Sequence, residues 1–297
     1  MVPLRPLLIT EILDVGYAVI RAAPRVPFVA SGIGAAVLTV VQIALTTLSG
    51  ATINVATATP IAAAVSAQGS PLIAAIGGLV GEILAMIITG VVTGVVLHAT
   101  FGAEPKRRRL RSLISASCAA ALLPYTPPFL AVLITVAVGA GTHSDAAAVA
   151  IGVPVVGGAA AFAVFLWVGL SLSLPALVAE DTGVIRALRR SWELARTSFW
   201  RVLGVRVFAL LLALLASLLF AATVVVLVGI PAAFADVLPH SATALAARIL
   251  VACIGVLAWG LTTPWIGATL AVLYLDQRMR TEGLDIQLRL ARLQERS

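Results

Sequence analysis

Apolar residues run in six long blocks along this chain, near 27–48, 72–98, 116–140, 149–172, 205–230 and 249–274. Each is long enough to cross a hydrocarbon layer about 30 Å thick, which needs roughly 20 apolar residues in a helix. The pattern predicts an all-α integral membrane protein of six transmembrane helices, arranged as three hairpins in one membrane domain spanning 1–297. Between the blocks the periodicity changes to that of one-sided helices. Ile9, Ile12, Leu13, Gly16, Tyr17 and Ile20 recur at helical spacing, with Glu11, Asp14 and Arg21 opposite. That pattern predicts an amphipathic surface helix near 8–23. A second is predicted near 182–203, with Ile185, Leu188, Trp192, Ala195, Phe199 and Val202 on its apolar face. Asp181 and Thr182 offer N-cap chemistry ahead of it. Shorter amphipathic segments are predicted near 104–117 and 284–295. Laying Tyr17 on Trp192 brings Arg21 onto Arg196, so the hairpins read as related designs.

Composition excludes a soluble domain. Apolar letters make up 61% of the chain and charged ones 11%, against roughly 25% charged in a soluble domain. The start has no apolar leader segment, and Glu11 and Asp14 follow it closely, so no cleavable secretory signal is expected. Nineteen arginines to one lysine hint at a GC-rich bacterial genome.

Charge sets the expected orientation. Arg5, Arg21 and Arg25 precede the first block, and Lys106 to Arg109 with Arg111 separate the second from the third. Arg186, Arg189, Arg190, Arg196, Arg201 and Arg206 lead into the fifth, and Arg278, Arg280, Arg289, Arg292 and Arg296 follow the sixth. Only Arg248 falls on the other side. Both termini are therefore expected in the cytoplasm of a bacterial inner membrane, with outer loops near 49–71, 141–148 and 231–248. The basic balance fits an anionic inner leaflet as partner; no soluble basic module exists to bind nucleic acid.

Candidate chemistry is sparse. Glu82, about ten residues from the outer end of the second block, is expected near the midplane, where acids are expensive and usually mark a pathway or a paired site. No basic residue is expected at its depth, which favours a protonated Glu at a helix contact eased by Gly77, Gly81, Gly90 and Gly94. Pro264 interrupts the sixth block, and the hydroxyls of Thr262 and Thr263 before it are expected to satisfy carbonyls freed at a kink. Glu82, Thr262 and Thr263 form the candidate intramembrane polar site. Pro124, Pro127 and Pro128 either break the third block or open its spanning helix.

A second candidate is an inner-surface clasp of Arg189, Arg190, Asp276, Arg278, Arg280 and Glu282. Asp276 with Arg280, and Arg278 with Glu282, are spaced for i,i+4 pairs. Asp276 is further expected to pair with Arg190 or a neighbour. Gly283 suits a helix stop. Cys118 and Cys253 are expected too far apart for a disulfide. His98, His143 and His240 form no ligand set, and no catalytic or metal motif occurs. No cofactor is expected.

Three segments carry a resemblance: Ala187-Leu-Arg-Arg-Ser-Trp-Glu-Leu194, Phe199-Trp-Arg-Val-Leu-Gly204, and Leu273-Tyr-Leu-Asp-Gln-Arg-Met-Arg-Thr-Glu-Gly-Leu-Asp285. They resemble bacterial proteins of the glycerophosphoryl diester phosphodiesterase membrane-domain family. Leu4-Arg-Pro6 and Glu11-Ile-Leu-Asp14 fit the same family, while Leu113 stands where its middle basic segment usually carries Trp. The resemblance implies a six-helix membrane module without the phosphodiesterase barrel, and hence no hydrolase activity. The function expected is a scaffold or accessory subunit in envelope or lipid-related processes, not an enzyme. The alternative is a transporter or channel for a small solute or lipid-like substrate that uses Glu82.

Overall fold

The computed structural model describes residues 7–48, 71–101, 110–142, 145–224, 226 and 240–283. Among them the chain is helical, with turns and no strand. In chain order the helices are α1 (Ile9–Ala22), α2 (Arg25–Leu48), α3 (Pro71–Phe101) and α4 (Leu110–Leu122). A 3-10 turn (Leu123–Tyr125) leads to α5 (Thr126–Thr142), α6 (Asp145–Gly169), α7 (Ser173–Glu180) and α8 (Val184–Thr197). Then come α9 (Phe199–Val224) and α10 (His240–Glu282). The amphipathic segment near 284–295 and the first part of 104–117, up to residue 109, lie outside the described residues.

Five helical stretches are long and apolar enough to cross a bilayer: Ile76–Phe101, Arg111–Gly141, Val149–Glu180, Phe199–Phe220 and Cys253–Glu282. The pair Ile9–Ala22 and Arg25–Val41, bent by 95°, makes a sixth if counted as one broken span. The bend has a local cause. Pro24 disfavours helical geometry in the residue before it, and Ala23 leaves the helix at φ −135° and ψ 67°.

The core is organised around α10, against which α1, α2, α3 and α9 all lie. Between apolar spans in lipid, association rests on close van der Waals contact, which small residues permit. A Cβ added at Gly267 would meet the Cα of Thr89 on α3 at 3.1 Å, and one at Gly16 would meet Thr269 Oγ1 at 3.0 Å. By contrast, Gly90 faces the Leu113 side chain, and Gly94 faces open space. A second apolar cluster joins Met86 of α3, Leu113, Ala116 and Ala120 of α4, Leu174 and Leu177 of α7, and Ala187 of α8. Helices α5 and α6 pack chiefly on each other.

With 43 residues, α10 rises about 64 Å, twice the hydrocarbon thickness, so its end must stand clear of the lipid. Helix α1 packs along α10. Leu7 contacts Asp276 and Gly16 contacts Thr269, so α1 runs antiparallel along α10 instead of resting on a bilayer alone. Its buried side chains are Ile12, Leu13, Val19 and Ile20; Tyr17, placed on the apolar face by spacing, is exposed.

Two local expectations are corrected. Asp181 adopts a left-handed conformation (φ 52°) that ends α7, and Gly183 is the residue that precedes α8, with no side-chain cap. Helix α8 is also rotated relative to the expected face. Ala187, Ser191, Leu194 and Ala195 are buried, while Ile185 is 84% exposed. Ser191 explains the rotation: its hydroxyl donates to the Gly169 carbonyl at 2.6 Å and accepts from the Leu172 N–H at 3.1 Å. Pro124 is the second residue of the 3-10 turn, and Pro127 and Pro128 sit in the first turn of α5, where a missing N–H costs no helical bond.

Candidate functional site

Glu82 on α3 has a basic partner. Arg206 of α9 places a guanidinium nitrogen 3.4 Å from Glu82 Oε1. The Trp167 indole N–H donates to the same oxygen at 3.4 Å. The guanidinium carbon lies 3.4 Å from the centre of the Trp167 ring, a cation–π arrangement. Its other arm donates to the Trp167 carbonyl at 3.0 Å. That carbonyl belongs to the last turn of α6, where carbonyls lack helical partners and a cation is favoured. Four groups from three helices thus satisfy one another. Arg206 is buried, while the Glu82 side chain is 26% exposed.

This corrects the expectation that no basic residue reaches Glu82. The charge count groups Arg206 with the basic segment ahead of the fifth block, but it lies five residues, about 7.5 Å, further along α9 than Arg201. A long arginine extends the reach. A charge at the mouth of one apolar block facing a charge inside another is the sequence signal that could have linked them.

Thr262 and Thr263 are not joined to this site by any hydrogen bond among the described residues. Thr262 donates to Ala258 and Trp259 carbonyls of its own helix, at 2.8 and 3.4 Å, and Thr263 is buried. The carbonyl that Pro264 deprives of a helical donor is that of Gly260, four residues back. Ser31 of α2 supplies the donor, at 2.8 Å.

The charges of the expected clasp, Arg189 apart, form two separate groups. Asp276 is fully buried. Its carboxylate accepts from the Leu7 N–H at 2.8 Å, from Arg201 at 2.9 and 3.0 Å, and from Arg280 at 3.1 Å. Arg201 and Arg280 also donate to the Leu7 carbonyl. One acid and two arginines therefore grip both backbone groups of a residue 269 positions away. Arg190 belongs to the other group. It pairs with Glu180 at 2.9 Å and with Glu282, and Glu180 accepts from the Tyr274 hydroxyl at 2.7 Å. Arg278 pairs with Glu282 at 2.9 Å. Among the described residues Arg189 reaches only Glu193 of its own helix, on the exposed side. The Asp276–Arg190 pair expected from sequence is thus replaced by Asp276–Arg201. Arg190 sits beyond Ser191 on a helix whose rotation is fixed elsewhere, whereas Arg201 opens α9, which runs along α10.

Cys118 and Cys253 are free. Among the described residues no set of three His, Cys, Asp or Glu side chains is placed to hold a metal ion.

No curated protein and no solved structure matches the chain. The apolar helices and the family comparison together make this a multi-pass membrane protein. Leu4 to Pro6 and Glu11 to Asp14 lie outside the family match. Residues 150–295, the stretch that carries Arg190, Arg201, Arg206 and Asp276, match the family described as the membrane domain of glycerophosphoryl diester phosphodiesterase.

Proposed function

We propose that the chain is a non-enzymatic module of a bacterial inner membrane, a scaffold or accessory subunit in envelope or lipid-related processes. Its three hairpins cross the bilayer with both termini in the cytoplasm, and the amphipathic helices gather on that side. The observation that carries this reading is the mutual pairing of charges between helices. Glu82 is engaged by Arg206 and Trp167, and Asp276 by Arg201, Arg280 and Leu7. Such groups fix helix positions. A transporter would need the Glu82 carboxylate turned to a water path, whereas one of its oxygens here serves two donors from neighbouring helices.

The family comparison supports the same direction, because the matched family is a membrane domain and not a catalytic barrel. The orientation rests on the basic residues, 19 of 20 of which fall on one side of the proposed topology. Affinity capture of the whole chain in mild detergent tests the role. A partner recovered in fixed stoichiometry is expected; a chain that always purifies alone overturns it.

A further inference from the structure

Helices α8 and α9 meet at Ser198, which leaves helical geometry at φ −143°. Beyond this corner, α9 exposes Trp200 and, from Val207 onward, Val207, Phe208, Leu211, Leu215 and Leu218 along one face. Positions 200, 204, 207, 208, 211, 215 and 218 share one helix face. In a membrane protein such a stripe is the face turned to acyl chains. Trp200, 81% exposed, is its terminal member. Tryptophan is favoured where the apolar layer meets the headgroups, since its ring is apolar and its N–H polar. The stripe is notched at Gly204, where an added Cβ would meet nothing within 4 Å. Trp200 and Phe208 stand one turn to either side of that notch.

On the other side of the corner, α8 presents Ile185, Arg189, Glu193 and Arg196 along one exposed face. Ser191 and Arg190 fix the rotation of α8, so this face cannot turn inward. Arg196 has no ion pair or hydrogen bond among the described residues, and Arg189 has only the exposed Glu193. A purely aqueous setting would leave Ile185 and Trp200 wet at both ends of a cationic strip. A headgroup layer accommodates all of them.

We propose that this corner binds an acidic phospholipid, its headgroup at Arg196 and Arg189 and an acyl chain along the Gly204 notch between Trp200 and Phe208. The binding depends on membrane insertion and not on the scaffold role, so failure of one leaves the other standing.

The test uses the full chain reconstituted in phosphatidylcholine vesicles containing a fixed fraction of brominated lipid, either phosphatidylglycerol or phosphatidylcholine. Bromine quenches nearby tryptophan, and the difference between wild type and Trp200→Phe isolates the contribution of Trp200. Brominated phosphatidylglycerol should occupy the site about fivefold more than brominated phosphatidylcholine. That ratio corresponds to about 1 kcal/mol for one net positive charge at an anionic surface. In Arg189→Gln/Arg196→Gln the ratio should fall to about one, while quenching by brominated phosphatidylcholine stays unchanged and reports an intact fold. Equal quenching in the wild type, or a preference that survives the double substitution, overturns the proposal. Absence of quenching by either lipid also overturns it, since Trp200 would then face protein or water.

Discussion

The hydroxyl of Ser31 donates to the carbonyl of Gly260, 2.8 Å away, at the position that Pro264 leaves without its helical donor. The same hydroxyl lies 3.1 Å from the Phe28 carbonyl of its own helix. A proline in the middle of a buried helix is thus tolerated because a neighbouring helix restores the missing bond.

Ser31→Ala should therefore destabilise the protein by about 1–3 kcal/mol, the cost of a buried carbonyl left unpaired. Pro264→Ala returns an N–H to Gly260. The double variant should be less destabilised than the sum of the two single ones, measured by thermal unfolding in detergent. Strict additivity would mean that Ser31 serves some other purpose.

The Asp276 cluster should be the most sensitive of the polar contacts. Asp276→Asn leaves Arg201 and Arg280 without their shared carboxylate, at a cost of about 3–5 kcal/mol if the site stays dry. Its effect should be less than additive with Arg201→Gln. It should be additive within about 0.5 kcal/mol with Arg190→Gln, whose partners are Glu180 and Glu282. Because Leu7 loses its anchor, trypsin should also cut faster after Arg21 and Arg25. Unchanged cleavage would separate the cluster from the seating of α1.

Much of the helical framework is legible in sequence because hydrophobic period is a local property. Ile12, Leu13 and Ile20 are spaced for one face, and that face is buried. Gly283 follows Glu282 with φ 63°, the left-handed stop that glycine permits. What local spacing cannot supply is the partner brought by tertiary fold. Arg201 meets Asp276 across 75 positions, and Arg206 meets Glu82 across 124. The rotation of α8 is set by a tertiary contact too. Periodicity favours burying Ile185 and Trp192, but a single buried hydroxyl, Ser191, holds the helix to the turn after α6 and sends Ile185 outward. Pro264 announces a freed carbonyl at Gly260, yet nothing near it in sequence points to Ser31.

Arg206→Met should destabilise the protein by about 1–3 kcal/mol, since the Trp167 carbonyl and Glu82 both lose a donor. Glu82→Gln alone should cost less, because that side chain is partly exposed. Combining the two should recover at least part of the loss, which a double-mutant cycle on detergent melting curves would read. A combined cost equal to the sum would show that the two side chains are not energetically coupled.

The proposed topology places position 60 outside and position 108 inside. In a background with Cys118 and Cys253 replaced by Ala, a cysteine at 60 should react with an impermeant thiol reagent on intact cells. A cysteine at 108 should react only after permeabilisation. The reverse pattern would invert the charge argument.

The central claim is that the intramembrane charges hold helices together and do not carry cargo. Reconstitution of the purified chain alone in sealed vesicles, followed by measurement of solute release and lipid movement between leaflets, tests it most directly. Rates equal to those of protein-free vesicles, and unchanged in Glu82→Gln, are predicted. Movement of a solute or lipid by the wild type that is lost in a folded Glu82→Gln variant would contradict it.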